Sequence, residues 1–252
     1  MSNDKEIIGG VVALGLPKPD LMQTNPQKGD YVKGKEEFIQ QTVGKYADLA
    51  SELEQVKADI ADLKYVAIDI TNLTNNVGTV EMGSVVKEVV ISWALNKKPT
   101  SQTLDGSAVE VTARSKTLTG LALSANKTYT LSVVDERGAT DSANTSVSFL
   151  NGVYYGVLEN GKEVASADIL ALTKKLQGSK GITFTANAGA TQRIIYAIPT
   201  RYGTPNFNVG GFDGGFAKAK TFNFTNASGY AESYDVWLSE NVGLGSTTVK
   251  VT

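Results

Sequence analysis

The sequence contains no cysteine and no histidine among its 252 residues. Without cysteine the chain has no disulfides, no thiolate nucleophile, no iron–sulfur cluster and none of the usual structural zinc sites. Without histidine it lacks the commonest general base and the commonest transition-metal ligand. No spacing pairs two carboxylates as glycoside hydrolysis requires. We therefore predict that the chain is not an enzyme and has no catalytic, cofactor-binding or metal site.

A strong excess of positive charge and a long hydrophobic run are also lacking. The formal net charge is −2, which argues against a nucleic-acid partner, because nucleic-acid-binding domains are usually strongly basic. The apolar run at residues 7–16 is too short to span a bilayer, and the residues before it lack the basic start of a secretory signal. We predict no membrane insertion.

Residues 39–63 repeat apolar side chains in alternating steps of three and four. The stripe consists of Ile39, Tyr46, Leu49, Leu53, Val56, Ile60 and Leu63, with Thr42 at the remaining position. A stripe this narrow is typical of a coiled coil. The alternative is packing of the helix on its own domain, but no other helix of comparable length is predicted to receive the stripe. We predict that this stripe is an oligomerisation site.

The number of helices in the coiled coil is less clearly encoded. Two charged pairs suit a parallel assembly: Glu52 with Lys57, and Asp59 with Lys64. Ile60 and Leu63 suit a coiled coil of two helices. Val43 and Ala50 widen the apolar face and favour three or more helices. The stripe alone leaves dimer and trimer open.

Residues 1–29 are predicted to form an irregular N-terminal arm, because Pro17 and Pro19 enforce extended backbone. The arm is too apolar for a free solvated tail. It either packs on its own trunk or inserts into another protein. For the second case we predict attachment through its apolar residues: Ile7, Ile8, Val11, Val12, Leu14 and Leu16.

From residue 67 the hydrophobic period becomes two, which is typical of strands. Short strands and frequent turns at 67–149 predict an immunoglobulin-like β-sandwich with a buried Trp93. Residues 150–252 predict a second β-sandwich with one helix at 166–176. The predicted fold is therefore mainly β: an arm at 1–29, a short α-helical coiled-coil stalk at 30–66, and two β-sandwich modules, the first immunoglobulin-like.

The glycine-rich stretch at 209–216 is the most conspicuous loop. It could present Phe212 and Phe216 to a partner or glycan, with Asp213 accepting hydrogen bonds from hydroxyl groups. The alternative, which we favour, is a tight turn with both phenylalanines in the core. A phosphate-binding loop is excluded, because no Lys-Ser/Thr follows the glycines.

Several short sequences resemble an immunoglobulin-like module of tailed-bacteriophage virion proteins. In the first predicted module they are VEMG (80–83), ISWALNKKP (91–99), LDG (104–106), NKTYTL (126–131) and DERGAT (135–140). In the second they are FLNGVYYG (149–156), TPNF (204–207), GGFDGGF (210–216) and NASGY (226–230). LPKPD (16–20) and DYVKGKEEF (30–38) resemble the linkers that precede such modules.

Within that class the chain resembles head fibres, also called capsid-decorating fibres. The resemblance implies a structural virion protein on the particle exterior. It implies a homotrimer whose N-terminal arm binds the capsid or another virion protein, and whose β modules project outward and aid adhesion. Similar modules occur on tail and baseplate fibres. The alternative is therefore a tail- or baseplate-associated receptor-binding protein that recognises bacterial surface glycan.

Overall fold

The structure, a computed structural model, describes residues 28–252, with side chains from residue 34 onward. The apolar residues of the predicted arm, from Ile7 to Leu16, therefore lie outside the described residues. The chain divides into two compact units between Val66 and Ala67. Each unit is described by itself.

The described part of the first unit is the helix α1, Lys28–Leu63. Its sequence is rich in Ala, Leu, Glu and Lys, which favour helix, and its 36 residues include no proline. The main-chain N–H of Lys64 still donates to the carbonyl of Ile60 at 3.1 Å, so the final turn is closed. A helix of this length extends about 54 Å. The predicted N-terminal helix is confirmed, and its oligomeric state stays a prediction.

The second unit begins with an immunoglobulin-like sandwich. Its strands are β1 (Ile70–Asn75), β2 (Thr79–Glu81), β3 (Val89–Leu95), β4 (Ser101–Leu104), β5 (Ser107–Ala108), β6 (Ser115–Leu118), β7 (Lys127–Val134) and β8 (Thr140–Glu159). One sheet has the order β1-β3-β6 and the other β5-β4-β7-β8, with β2 parallel to β8. Counted without the short β2, the first sheet holds the first, second and fifth strands, and the second sheet contains the third, sixth and seventh. Immunoglobulin folds distribute these strands in the same way. The predicted fold of this module is confirmed.

The core of this sandwich is formed by inward-facing residues of both sheets. In β3, Val89, Ile91 and Trp93 are buried and alternate with more exposed residues. Leu131 and Val133 oppose them from β7. The predicted buried tryptophan is therefore confirmed.

The remaining elements form a second β-sandwich. They are α2 (Ser166–Leu170), β9 (Thr173–Gln177), β10 (Ile182–Ala188), β11 (Gln192–Pro199), a 3₁₀ turn (Thr200–Tyr202), β12 (Phe207–Val209), β13 (Phe212–Asp213), β14 (Phe216–Thr225), β15 (Ala231–Ser239) and β16 (Gly245–Val251). One sheet has the order β10-β16-β12-β13. The other contains β14-β15-β11-β8, with β9 also paired to β8. The predicted second sandwich is confirmed.

Strand β11 lies at the centre of this module and is buried on both faces. Ile194, Tyr196 and Ile198 face the β10-β16-β12 sheet. Ile195 and Ala197 face a separate cluster that includes Ile169 of α2. Burial on both faces explains why β11 is a continuous apolar run.

The predicted helix at 166–176 is wrong beyond residue 170. The helix stops at Leu170, and Thr173–Gln177 form β9, which pairs with β8 in the antiparallel direction. The carboxylate of Asp168 accepts the N–H of Ala165 at 2.9 Å and so caps this short helix. Pairing with a neighbouring strand has overridden the local helical preference.

Strand β8 belongs to both modules. Its 20 residues pair first with β7, then with β2 and β9, and finally with β11. The boundary predicted at residues 149 and 150 falls inside this strand, and the backbone crosses it without a loop. The two modules therefore share main-chain hydrogen bonding along one strand.

A polar cluster reinforces the junction of the two modules. The buried carboxylate of Glu81 accepts the hydroxyl of Tyr154 at 3.1 Å and the ammonium of Lys174 at 2.8 Å. The side-chain amide of Asn226 donates to the carbonyl of Met82 at 2.8 Å. Glu81 is the last residue of β2 in the first module and Met82 follows it, whereas Tyr154, Lys174 and Asn226 belong to the second module. These contacts supplement the shared strand.

Replacing Gly83 with alanine is expected to destabilise this unit more than replacing Gly120. Both glycines have positive φ, +93° and +69°, so both alanines carry a backbone cost of about 1–2 kcal/mol. A Cβ at Gly83 would also lie 2.7 Å from the Cβ of Tyr230, whereas a Cβ at Gly120 meets no atom within 4 Å. Overpacking of this kind adds about 1–3 kcal/mol.

Urea denaturation followed by circular dichroism, at one protein concentration, measures the difference in the free energy of unfolding. Gly120→Ala is the matched control for the backbone cost. Equal losses for the two variants would show that the second module does not pack tightly against Gly83.

Candidate functional site

The predicted oligomerisation stripe is an exposed feature of α1. Its seven apolar side chains have exposed fractions between 42% (Leu49) and 87% (Leu63). Thr42, at the polar position of the stripe, donates its hydroxyl to the carbonyl of Phe38 at 2.8 Å and is thereby satisfied within its own helix. A continuous apolar surface of this kind marks an interaction site more often than isolated exposed residues do.

The charged residues beside the stripe pair within the helix in the single chain. Lys57 contacts Glu54 at 2.7 Å, and Gln55 donates to Asp59 at 2.8 Å. Exposed pairs one turn apart on a helix contribute only about 0.2–0.5 kcal/mol. Such weak pairs are easily exchanged for the predicted contacts of Lys57 and Asp59 with a neighbouring helix.

The glycine-rich stretch forms a hairpin and a second bend. Asn208 and Val209 of β12 pair with Asp213 and Phe212 of β13, and the connection is Gly210-Gly211. All four glycines of the stretch have positive φ: Gly210 (57°), Gly211 (98°), Gly214 (99°) and Gly215 (78°). The first two suit the tight two-residue turns of hairpins, which need positive φ at both positions.

The two phenylalanines of this stretch have different environments. Phe212 lies at the hairpin tip with 81% of its surface exposed. Phe216 is buried and stacks on Phe207, with ring centroids 4.1 Å apart. The favoured expectation that both rings lie in the core is therefore wrong for Phe212, because the Gly-Gly turn reverses the chain beyond the core. Of the three residues predicted to bind a partner or glycan, only Phe212 and Asp213 are exposed, because Phe216 is buried.

A cleft of about 680 Å³ lies beside this hairpin. Its lining includes Asn206, Phe207, Asp213, Phe216, Trp237 and Lys250. The structure thus brings two of the three predicted surface-binding residues, Asp213 and Phe216, to one cleft. The sequence pattern does not predict Trp237 and Lys250 as part of this site, because β15 and β16 reach the cleft only through long-range strand pairing.

Some polar groups of the cleft have a hydrogen-bond or ion-pair partner within the described residues, and others have none. Asp213 Oδ1 accepts the amide of Asn208 at 2.7 Å. Lys250 is exposed and makes no ion pair with any residue between 34 and 252. The indole Nε1 of Trp237 is buried and has no hydrogen-bond partner in the described part of the chain. A buried donor left unpaired costs about 1–3 kcal/mol.

The buried carboxylates elsewhere are held in ion pairs. Asp235 contacts the ammonium of Lys218 at 2.8 Å and accepts the hydroxyl of Thr221 at 2.6 Å. Burial alone raises the pKa of Asp235, but these contacts outweigh it, and the net pKa lies below the ordinary value. Glu232, which is half-buried, is likewise paired with Arg201. Across residues 34–252, no group of three His, Cys, Asp or Glu side chains could hold a metal ion.

Comparisons with known proteins add little. No protein-family model and no curated protein sequence matches the chain. One similar solved structure is that of the N-terminal eight immunoglobulin domains of Down syndrome cell adhesion molecule isoform 1.30.30. It has 10% identity and a TM-score of 0.20, and the match covers 71% of this chain and 26% of that one. The chain thus spans about a quarter of that structure, and the immunoglobulin-like assignment rests on the strand order.

No described helix combines the length and hydropathy needed to cross a membrane.

Proposed function

We propose that this chain is the subunit of a homotrimeric fibre, in which α1 forms a coiled-coil stalk and the β unit is displayed at its end. The observation that carries the proposal is the stripe of seven apolar side chains, each at least 42% exposed, along one helix. Burial of these side chains against copies of the same helix removes apolar surface from water at about 25 cal/mol per Å².

The helix is long enough to support such a stalk but contains weak positions. Gly34 and Gly44 each cost about 1 kcal/mol relative to alanine. No atom lies within 4 Å of the Cβ that an alanine would have at either position, so neither glycine is required by close packing in the single chain. Val43, which is 61% exposed, widens the apolar face and favours three helices over two.

The proposed setting is the exterior of a bacteriophage particle, with the fibre on the head. Its support is the resemblance of the quoted motifs to phage virion modules. In this setting the arm at 1–29 binds the capsid or another virion protein, and the β unit aids adhesion. A tail- or baseplate-associated receptor-binding protein is the second candidate, and it is favoured by Phe212, which is exposed at the tip of a hairpin.

Peptides of this chain are expected in mass spectra of purified phage particles from a host that carries the sequence, and antibody labelling in electron micrographs separates head from tail. Head labelling supports the fibre proposal, and labelling confined to the tail supports the second candidate. Absence of the chain from particles whose other virion proteins are detected would contradict both.

Replacement of Leu53 and Ile60 together by lysine is expected to convert the trimer to a monomer. The six ammonium groups that three such chains bring together would repel one another and would be costly to bury. Sedimentation velocity and native mass spectrometry at micromolar concentration measure the assembly.

The matched control replaces Ser51 and Ala58, on the opposite face of α1, with lysine. This variant adds the same charge to the same helix and is expected to remain a trimer. A wild-type chain that sediments as a monomer, or equal dissociation of both variants, would contradict the proposed role of the stripe.

A further inference from the structure

The cleft beside the glycine-rich hairpin has the size and composition of a small-ligand site. Its volume of about 680 Å³ lies within the range of roughly 300–1,000 Å³ that ligand pockets usually occupy. Such pockets combine apolar and aromatic walls with a few polar groups that fix orientation. Here Phe207, Phe216 and Trp237 supply the aromatic part, and Asp213 and Lys250 supply charge.

The two charges of the cleft indicate a ligand without strong charge. The ammonium of Lys250 has no ion-pair partner within the described chain, so it can donate to a ligand. Asp213 uses Oδ1 to accept from Asn208, which leaves Oδ2 for a second donor. Lys250 attracts an anionic ligand that Asp213 repels, and Asp213 attracts a cationic ligand that Lys250 repels, so the cleft favours neither sign of charge.

Hydroxyl groups satisfy this mixture of donors and acceptors, because each hydroxyl both donates and accepts a hydrogen bond. The side chain of Asn206, which is exposed and bonded to no described residue, adds one carbonyl and one NH₂ group. A ligand with several adjacent hydroxyl groups could engage Asn206, Asp213 and Lys250 together.

The aromatic wall suits the apolar face of a sugar ring. Trp237 is half-buried, and its ring centroid lies 5.7 Å from that of Phe207. Phe207 in turn stacks on Phe216, so the tryptophan is backed by packed rings. A wall built in this way keeps its shape when a ligand binds, which lowers the ordering cost of association.

We propose that this cleft binds a neutral saccharide unit, with Trp237 contacting the ring face and Asn206, Asp213 and Lys250 binding its hydroxyl groups. Phe212 lies at the tip of the same hairpin and is exposed, so it offers an apolar contact to a further unit of an oligosaccharide. The site goes beyond the proposed fibre role, and it would give the second candidate, the receptor-binding protein, a specific ligand site. It lies within the β unit and depends on neither the copy number nor the location on a particle.

The test titrates the full-length protein with three defined trisaccharides: a neutral hexose trimer, an N-acetylhexosamine trimer and a uronic-acid trimer. Tryptophan fluorescence and two-dimensional NMR report binding, since Trp237 is one of only two tryptophans. Saturable binding of at least one neutral trimer is expected, with shifts of the Trp237 indole resonance, and the uronic-acid trimer is expected to bind more weakly.

Lys250→Met and Asp213→Asn should each weaken the binding at least about tenfold, as loss of a hydrogen bond to a charged group does. Asp213→Asn keeps the acceptor for Asn208. Lys116→Met, which replaces another exposed strand lysine in the first module, should leave binding unchanged. Circular dichroism confirms that each variant is folded.

Three results would overturn the assignment. The first is no response to either neutral trimer at millimolar concentration. The second is binding that both cleft variants retain at full strength, which would place the site elsewhere. The third is preference for the uronic-acid trimer, which would assign the cleft to an anionic ligand.

Discussion

The main-chain hydrogen bonds of strand β8 are the constraint on which both β modules depend. A strand of 20 residues pairs with β7 and β2 in the immunoglobulin-like sandwich and with β9 and β11 in the second one. Because β8 is one continuous strand, its main chain leads directly from the pairing of the first module into that of the second. The ion pair of Glu81 with Lys174 adds a side-chain contact between the two modules. The β unit is thus one body with two cores.

The two candidate sites use different physical principles. The stripe of α1 is apolar and continuous, so its partner is expected to be another copy of the same helix. The cleft is small and mixed in polarity, so its ligand is expected to be small and rich in hydroxyl groups. If the proposed trimer forms, one assembly contains three clefts. Simultaneous binding of several weak sites to one polysaccharide raises the overall affinity by about 10²–10⁴ without any new contact, provided that the geometry allows it.

The sequence predicts the long helix and most strands, because their apolar residues follow simple periods: every second residue of β3 is buried, and the apolar heptad positions of α1 lie along one stripe. It fails where pairing between distant segments decides the structure. Residues 173–177 have helical neighbours but pair with β8, and Phe212 and Phe216 separate because a Gly-Gly turn reverses the chain between β12 and β13. The cleft escapes prediction for the same reason, since Trp237 and Lys250 reach it from β15 and β16.

The central structural claim, that the two β modules are one cooperative body, can be measured directly with the two tryptophans. Trp93 lies in the core of the first module, and Trp237 is half-buried against the core of the second. Trp93→Phe leaves only Trp237 as reporter, and Trp237→Phe leaves only Trp93. Urea unfolding of each variant at one protein concentration is followed by tryptophan fluorescence and by far-ultraviolet circular dichroism at wavelengths dominated by strand. The account predicts coincident fluorescence and dichroism transitions within each variant. The contrary result is that, in either variant, the tryptophan of one module reports complete unfolding at a urea concentration where part of the strand dichroism remains. The two modules would then unfold separately.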